Sequence, residues 1–375
     1  MSVRKRAWVT RHGEAREAWI VDYVDQEGDR HIQTFDRKKD ADAYHDNVRV
    51  GVRQGIHTAP SKSPTVLEAG EAWIKRGEAD GLEATTIRQY RQHLDLHIAP
   101  RIGREKLADL TPGRMDAVRD DLLEKLSRPM ARKVLTSLKS LLRASKHVHV
   151  AADVSIKRRK RDDHKLEEGR DFPTPAEIKR LIDATEDSKR RALLLTTCLT
   201  GLRASELRGL RWSDVKLNHG ELHVRQRADR FNRIGPPKSA ASRRTIPLDA
   251  DVLIPALKKW KLACPKGEAD LVFPTAAGKV EHHKNMLLSL EPGMKAAGVV
   301  DKAGDPKYGL HALRHFFASW CINPKERGGR ELTAKVVQEL MGHSSIVMTL
   351  DLYGHLFPRG DDRGELAAAA RALLA

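Results

Sequence analysis

The sequence predicts a multidomain protein with a small three-stranded sheet plus helix at its N-terminus, an all-α domain, and a mainly α domain with a small antiparallel sheet. Three observations support this prediction. The length of 375 residues exceeds the size at which a single hydrophobic core usually stops growing. The spacing of apolar residues changes along the chain from strand-like alternation to helical periodicity. Two polar stretches, residues 54–64 and 151–172, separate the parts.

The first module, residues 1–57, carries three short segments in which apolar and polar residues alternate. The first lies around Trp8, and the others cover residues 17–24 and 31–35. Such alternation with glycine-bearing turns between the segments is typical of an antiparallel sheet. A helix is predicted to follow over residues 38–52.

The second domain, residues 65–150, shows helical periodicity throughout. One helix is predicted to begin at Val66 and a second to cover residues 85–96. Thr111, followed by a proline, has the sequence of a helix start, with threonine as the cap and proline at the first helical position. A fourth helix is predicted over residues 131–146, so this domain is all-α.

Residues 151–172 contain few apolar side chains and five consecutive cations, 157–161, which predicts an extended basic linker. The last large domain, residues 173–357, opens on Thr174 with Glu177 three positions later, the pattern of a helix capping box. Apolar helices and two short strands are predicted within it. The tail, residues 358–375, is alanine-rich and helix-prone, and it is too short for a core of its own. We expect it to dock on the body or on a neighbouring protomer.

Composition narrows the class of partner. Sixty-eight Lys and Arg against fifty-one Asp and Glu give a net charge of +17, which favours a polyanion such as nucleic acid, although many basic proteins bind none. The cysteines, Cys198, Cys264 and Cys321, are far apart and lack the spacing of a metal site. We therefore expect no metal and a reducing, cytoplasmic environment. Apolar runs approaching the roughly 18 residues of a membrane span are absent from the sequence, so no membrane partner is expected.

The strongest chemical pattern lies near the end of the last domain. His343 and Tyr353 stand ten residues apart, and upstream lie His311 and Arg314 at a spacing that puts both on one face of a helix. A phenol surrounded by imidazoles and a guanidinium suits attack on a phosphodiester. The phenolate can form a covalent phosphoryl ester, while fixed cations stabilise the charge that builds on the phosphate oxygens.

Two further segments complete the candidate site. Arg203 follows a glycine that ends an apolar helix, and Glu206 is positioned three residues later to pair with it. Taken alone, that segment is equally consistent with a capped helix start and a surface ion pair. Lys238 lies beside a predicted hairpin, where lysines are common, and Arg243 and Arg244 lie close by.

These segments, residues 200–207, 238–248, 311–318 and 341–355, resemble in order and flanking residues the motifs of the tyrosine recombinases, the phage integrase family. The resemblance covers the whole last domain. The all-α domain is similar in layout to that family's core-site DNA-binding domain, and the first module looks like the arm-site DNA-binding domain of some phage integrases.

The resemblance implies a role for each candidate residue and requires no metal or other cofactor. Tyr353 is expected to attack the scissile phosphate and give a 3′-phosphotyrosyl link with a free 5′ hydroxyl. Arg203 and Arg314 are expected to bracket the non-bridging oxygens, for which a guanidinium fork is well shaped. Lys238 is expected to be the general acid, and His311 is expected to assist the deprotonation of Tyr353. His343 is expected to hydrogen-bond a phosphate oxygen. Glu206 is expected to orient Arg203 or His311.

Three neighbouring residues stay outside this set. His315 and His355 are expected to pack or hydrogen-bond without entering the chemistry. Phe316 stands where the family's motif usually has threonine, which concerns packing more than catalysis.

The function implied by the resemblance is site-specific recombination by a phage or prophage integrase that inserts, and in some cases excises, a mobile element. Its expected partners are double-stranded DNA at core and arm attachment sites, three further copies of the chain in a tetrameric synapse, a directionality factor and a host DNA-bending protein. The alternatives are a type IB topoisomerase, a chromosome-dimer-resolving recombinase and a non-catalytic DNA-binding regulator.

Overall fold

The computed structural model describes residues 1–25, 27–53, 62–157, 165–357 and 362–374. The chain divides into two compact units, Met1–Arg159 and Lys160–Ala375. Most of the predicted run of five cations therefore lies outside the described residues. Among the described residues, no helix combines the length and the apolar character needed to cross a membrane.

A three-stranded antiparallel sheet and one helix open the first unit, as predicted. The strands β1 (Ser2–Val9), β2 (Ala15–Val24) and β3 (Arg30–Phe35) lie in the order β1-β2-β3, and α1 (Lys38–Arg53) packs on the sheet. The first strand begins well before the predicted segment because its pairing with β2 runs the whole length of β1. Most of its side chains are exposed and several are basic, so the sequence of β1 shows no regular alternation of apolar and polar residues.

The rest of the first unit is helical, as predicted. Thr65 forms a capping box with Glu68, and the Thr111 hydroxyl accepts a hydrogen bond from the Arg114 amide at 3.2 Å, so both predicted helix starts are confirmed. A π-helical turn, Leu94–Ile98, joins two of the helices and buries both end residues. The helices are α2 (Val66–Ala79), α3 (Ala84–His93), α4 (Ala99–Ile102), α5 (Pro112–Lys125) and α6 (Arg128–Ala144).

The predicted linker, residues 151–172, has buried apolar side chains near both of its ends. Val154 and Ile156 are buried in the core of the helical bundle. At the other end Phe172 is fully buried in the second unit, and Leu166 packs against the same core. Apolar side chains thus flank the charged run and are buried in the nearer core, and the assignment of residues 151–172 as a linker stays a prediction.

The second unit is mainly α with small antiparallel sheets, as predicted. Thr174 and Glu177 form the predicted capping box at its first helix. One sheet has the strand order β4-β5-β8, and β6 pairs with β7 in a separate hairpin. The strands are β4 (Val215–Lys216), β5 (Glu221–Val224), β6 (Arg227–Ala228), β7 (Ile234–Gly235) and β8 (Arg244–Pro247), and the helices are α7 (Pro175–Asp183), α8 (Ser188–Thr200), α9 (Ala204–Gly209), α10 (Leu253–Ala263), α11 (His283–Leu288), α12 (Glu291–Ala296), α13 (Leu310–Ile322), α14 (Ala334–Met341), α15 (Ile346–Tyr353) and α16 (Asp362–Leu374).

Helix α8 lies at the centre of this unit, between α10 and α13. Most of its residues are buried, as expected for a helix that is apolar on several sides. It ends at Gly201, whose φ of +59° is the left-handed conformation that glycine adopts without strain. A Cβ at Gly201 would lie 2.3 Å from the Phe317 ring of α13, so only glycine fits there. This close approach sets α13 beside the end of α8.

Candidate active site

A buried carboxylate joins two arginines at the start of α9. Glu206 accepts hydrogen bonds from Arg203 Nη1 at 2.8 Å and from Arg244 Nη2 at 2.9 Å. Its side chain is 2% exposed, and that of Arg244 is 6% exposed. Burial acts to raise the pKa of Glu206, but the charges and hydrogen bonds of Arg244 and Arg203 outweigh it and hold that pKa below its usual value. The predicted pairing of Arg203 with Glu206 is confirmed, and it is not a surface ion pair.

The second predicted arginine, Arg314, is held by main-chain oxygens. Its guanidinium donates to the carbonyl oxygens of Gly201 and Met341, the latter at 2.5 Å. The side chain is buried, and burial together with the nearby charge of Arg203 lowers the pKa of Arg314. Arg314 therefore sits in a fixed position without a carboxylate of its own.

Main-chain oxygens at the ends of two helices hold this arginine cluster, which we define as Arg203, Arg244 and Arg314. Arg203 Nη2 donates to Gly342 O at 2.7 Å, and Arg244 Nε donates to Leu340 O at 2.7 Å. The last carbonyls of a helix lack partners within it and carry partial negative charge, so they suit cations. Because the three guanidiniums are accompanied by a single carboxylate, that of Glu206, the cluster keeps a net positive charge that can bind a phosphate.

His343 follows the C-cap of α14, Gly342, and is buried beside the cluster. Its Nδ1 hydrogen-bonds to Thr349 Oγ1 of α15 at 2.9 Å. Burial, followed by the charges of Arg314, Arg203 and Arg244, lowers the pKa of His343 to about 4. The ring is therefore neutral near pH 7, and its Nε2 is the nitrogen that can face a ligand.

The Tyr353 hydroxyl lies at the end of α15, next to a histidine that we predicted to lie outside the site. His315 Nδ1 is 2.6 Å from Tyr353 Oη, and both side chains are buried. Burial raises the pKa of Tyr353, and the charge of Arg314 opposes that rise. We expected His311 to act on this hydroxyl, but in the described hydrogen bonds His315 takes that position.

The other predicted residues lie at the edge of this site. His311 is exposed, and its ring meets that of His315 edge-on with centroids 4.4 Å apart. Lys238 is exposed on the segment before Ser242, whose hydroxyl accepts from Arg203 Nη1 at 3.3 Å. His355 Nε2 hydrogen-bonds to Leu166 O at 2.7 Å, as befits the structural role predicted for it. Phe316 is buried in the main core, so its effect is on packing.

Sequence reasoning missed Arg244 and His315. For His315 a signal existed, since it follows His311 by four residues and so shares its helix face. For Arg244 the sequence gave a weaker signal, because an arginine on a short strand is usually exposed. Its burial depends on Glu206 and on α14, both far away in the chain.

An acidic group elsewhere has the composition of a metal site. Carboxylate oxygens of Asp25, Glu27 and Asp29 lie within 4.8 Å of one another. Lys62 donates to Glu27 at 3.0 Å and also to Asp29, and His31 hydrogen-bonds to Asp25. Each of the three carboxylates thus already has a hydrogen-bond partner in Lys62 or His31, so the group is explained as a network within the protein.

Comparison with known proteins identifies the family of the chain. The family model described as the phage integrase family matches residues 172–359, just over half of the chain. The chain belongs to the phage integrase family. The matched range contains Arg203, Glu206, Arg314, His343 and Tyr353, so the resemblance found in the motifs is confirmed at the level of family, and the chain is a tyrosine recombinase by membership of it.

Relatives within the family match to different extents. The tyrosine recombinase XerC-like protein of Caldanaerobacter subterraneus subsp. tengcongensis is 30% identical over 207 residues, which cover 49% of this chain and 50% of that protein. The integrase of Streptomyces ambofaciens is 25% identical over 371 residues, 91% of this chain and 90% of that one. The chain thus spans about half the length of the XerC-like relative but nearly all of the integrase.

A solved structure shares the fold across most of the chain. The lambda integrase tetramer bound to a Holliday junction matches with a TM-score of 0.55 and 19% identity, covering 95% of this chain and 97% of that one. At this identity the likeness concerns the fold. It extends beyond the second unit to the sheet and helices of the first unit.

Proposed function

We propose that this protein is a site-specific DNA recombinase, the integrase of a phage, prophage or other mobile element. The observation that carries the proposal is that Tyr353 ends its helix in the same buried site as the arginine cluster, close enough for the charge of Arg314 to act on its hydroxyl. A nucleophile beside fixed cations with net positive charge suits phosphodiester cleavage. The net charge of +17 favours DNA as the carrier of that phosphodiester.

In the proposed reaction Tyr353 Oη forms a bond to the scissile phosphorus as the bond from phosphorus to the 5′ oxygen breaks. The products are a 3′-phosphotyrosyl link and a 5′ oxygen, which takes a proton from Lys238. Arg203 and Arg314 bind the non-bridging oxygens, and His343 donates from Nε2 because Thr349 engages its Nδ1. Attack by a 5′ hydroxyl from another strand reverses the steps and joins new partners.

The proposed substrate is double-stranded DNA at two classes of site. Helices α2 to α6 would bind the core site, and the N-terminal sheet would bind an arm site. Support for the second role comes from β1, whose Arg4, Lys5, Arg6 and Trp8 are exposed. A homotetramer on DNA, a directionality factor and a host DNA-bending protein complete the proposed assembly, since exchange between two duplexes needs four nucleophiles.

An Xer-type role in resolving chromosome dimers is the second candidate, favoured by the 30% identity to the XerC-like relative. The match to the S. ambofaciens integrase over 91% of this chain favours the integrase role. The Arg6→Glu variant tests the choice because Arg6 is exposed and serves no described core. Loss of binding to a second class of DNA site, with core-site cleavage unchanged, supports the integrase. Unchanged binding at every site contradicts the arm-site role.

The deciding experiment for catalysis uses DNA that the protein itself selects. Duplexes that bind the Tyr353→Phe variant are first enriched from a random pool. The selected sequence is then prepared with a nick, so that the short fragment carrying the freed 5′ hydroxyl diffuses away after cleavage. The wild-type chain is expected to form a covalent protein–DNA adduct, and Tyr353→Phe is expected to form none. An adduct with Tyr353→Phe, or none with the wild type, contradicts the proposal. Transfer of strands between two labelled duplexes separates a recombinase from a topoisomerase, which only relaxes DNA.

A further inference from the structure

The loop that carries Lys238 is attached to the arginine cluster through a buried serine. Ser242 follows Lys238 by four residues and is 3% exposed, and its hydroxyl accepts a hydrogen bond from Arg203 Nη1 at 3.3 Å. We propose that Ser242 is a positioning residue that holds Lys238 beside the phosphate that Arg203 binds. The proposal rests on the proposed function, in which Lys238 protonates the 5′ oxygen.

The side chain of Ser242 connects Arg203 with the residue next to Lys238. A guanidinium can only donate, so the Ser242 oxygen is the acceptor of the bond from Arg203. The same oxygen lies 3.0 Å from Ser239 Oγ, and either hydroxyl can donate to the other. The two hydroxyls thus form a chain of hydrogen bonds from the guanidinium to Ser239, which directly follows Lys238.

The main chain of Ser242 holds the same turn. Its amide donates to Ser239 O at 3.1 Å. Its carbonyl oxygen accepts a hydrogen bond from Arg244 Nη1 at 3.0 Å. Because Arg244 is itself bound to Glu206 and to Leu340 O, the turn is attached to two arginines of the cluster at once.

On the other side of Lys238 two prolines precede it. The pairing of β6 with β7 ends at Gly235, and Pro236 and Pro237 occupy the positions between β7 and Lys238. Proline has no backbone N–H and cannot donate to a ladder of strand hydrogen bonds. The backbone of Lys238 therefore takes its position mainly from the turn that follows it.

An acid on a long side chain depends on where its backbone is held. The ammonium of Lys238 is a compact charge on a flexible stem, and the side chain is exposed. A general acid must lie within hydrogen-bond reach of the leaving oxygen, and a displacement of about 1 Å can cost on the order of a hundredfold in rate. Ser242 restricts that displacement at the backbone and transfers no proton itself.

The attachment also aligns the acid with the phosphate. In the proposed reaction Arg203 binds a non-bridging oxygen while Lys238 protonates the 5′ oxygen of the same phosphate. A hydroxyl bonded to the guanidinium places both groups relative to one phosphorus atom. Loss of this hydroxyl leaves Arg203 its bonds to Glu206 and to Gly342 O, so the guanidinium stays in place while the turn after Lys238 is released.

The kinetic test asks whether the missing hydroxyl harms the acid step alone. The nicked duplex selected with Tyr353→Phe is prepared in two forms, with oxygen or with sulfur at the 5′ bridging position of the scissile phosphate. Sulfur leaves without taking a proton, since the pKa of a thiol is only about 8.5. Single-turnover adduct formation on both forms gives, for each variant, the ratio of the sulfur rate to the oxygen rate.

We expect Ser242→Ala to slow adduct formation on the oxygen duplex by roughly 10- to 100-fold and to stay within a few-fold of wild type on the sulfur duplex. Lys238→Ala should show the same pattern with a larger loss on oxygen, about 10²- to 10⁴-fold. Arg203→Ala should instead lose about a hundredfold or more on both duplexes, because sulfur does not replace the charge that binds the phosphate. The ratio therefore rises only where the acid is harmed.

The matched control is Ser319→Ala, which removes another buried serine hydroxyl from the same unit. Ser319 is 2% exposed and accepts a hydrogen bond from Asn323 Nδ2 at 3.4 Å. Its rates should equal those of wild type on both duplexes, and urea unfolding compares its stability with that of Ser242→Ala. This control separates the loss of a buried hydroxyl in general from the release of Lys238.

A second variant, Ser239→Ala, breaks the hydroxyl chain at a half-buried residue beside Lys238. It should raise the ratio of sulfur to oxygen rates by several-fold, less than Ser242→Ala does, because the bond from Arg203 to Ser242 remains. This variant decides the question if Ser242→Ala does not fold. Wild-type rates in Ser239→Ala would then overturn the proposal.

The outcomes separate this role from the reaction on which it depends. Equal losses on the two duplexes in folded Ser242→Ala would mean that the serine serves Arg203 and not Lys238, and would overturn the proposal, as would wild-type rates on both. A loss in Lys238→Ala that sulfur does not restore would remove Lys238 as the acid and the positioning role with it, while the wild-type adduct still supported Tyr353 as nucleophile. Absence of any wild-type adduct would remove the proposed function itself.

Discussion

The arginine cluster and helix α15 meet in one site but are held in opposite ways. Each guanidinium of the cluster donates to at least one main-chain oxygen, and two of them share Glu206. In α15 only Thr349 and Tyr353 are buried. The other apolar residues of that helix are more than a third exposed, namely Ile346, Val347, Met348, Leu350 and Leu352.

This difference separates the arginine cluster, which is positioned before DNA binds, from α15, whose tyrosine has to move. A cluster fixed by backbone needs no rearrangement when a phosphate arrives, which is the condition for strong electrostatic stabilisation. Tyr353, the proposed nucleophile, is 1% exposed, so its hydroxyl has to leave its present position to reach a DNA phosphate. The small buried surface of α15 keeps that displacement inexpensive. The following changes test the contrast, beginning with the largest expected effect.

Removing Arg314 tests whether the arginine cluster is positioned for the transition state before DNA binds. Arg314→Ala should lower single-turnover cleavage by about a hundredfold or more, because the transition-state charge loses a fixed donor. Affinity for the selected duplex should stay within a few-fold, since many other cations bind the backbone. Equal losses in cleavage and binding would show that Arg314 holds DNA in general rather than the transition state. Filter binding and adduct formation on the same duplex measure the two quantities.

Neutralising Glu206 tests how the cluster is held. Glu206→Gln leaves Arg244 buried without its carboxylate, and breaking a buried pair costs about 3 kcal/mol in the free energy of unfolding. Because the pKa of Glu206 is held below its usual value, its contribution is present above pH ~4.5 and is lost as pH falls through the folded-state pKa. The difference between variant and wild type in urea unfolding should therefore shrink below that pH. A difference that does not change with pH would contradict this account.

The buried histidines test the side of the site that faces α15. His315 and His343 each have a pKa lowered to about 4, so between pH ~6.5 and that value the unfolded chain binds a proton that the folded chain does not. Stability should thus fall with decreasing pH by about 1.4 kcal/mol per unit for each group. His343→Asn should reduce the dependence of stability on pH by about 1.4 kcal/mol per pH unit. The same slope in wild type and variant would mean that His343 is already charged in the folded state.

The smallest expected effect concerns the hydrogen bond between Thr349 of α15 and His343. Thr349→Val keeps the shape of a fully buried side chain but removes the hydrogen bond to His343, at a cost of about 1 kcal/mol in unfolding free energy. Val347→Ser, on the exposed side of the same helix, is the matched control and should change stability by less than about 0.5 kcal/mol. A larger loss in Val347→Ser would show that the exposed face of α15 is packed in solution.

Local signals in the sequence predicted local structure well. The capping boxes at Thr65 and Thr174 and the pairing of Arg203 with Glu206 follow from spacings of three residues. The family motifs gave the order of the candidate residues, and the family itself is confirmed. The roles of Lys238, His311 and the other site residues stay predictions.

What the sequence did not reveal depends on contacts between distant segments. His315 and Tyr353 are 38 positions apart, and no spacing rule says which histidine of α13 will face α15. The burial of Arg244 depends on Leu340, 96 positions away. The burial of the linker flanks was not foreseen, because the charged run between them suggested exposure, whereas Ile156 and Phe172 on either side are buried in the nearest core.

Main-chain oxygens as arginine ligands have a consequence for how this site tolerates substitution. Every residue type supplies a carbonyl, so the side chains of Leu340 and Met341 can change among apolar residues without removing a ligand from Arg244 or Arg314. The constraint falls instead on Gly342, where φ is +62° and a Cβ would lie 2.8 Å from the Arg244 guanidinium. The sequence around these arginines can therefore vary among apolar residues, while Gly342 keeps the carbonyls that fix their charge in place.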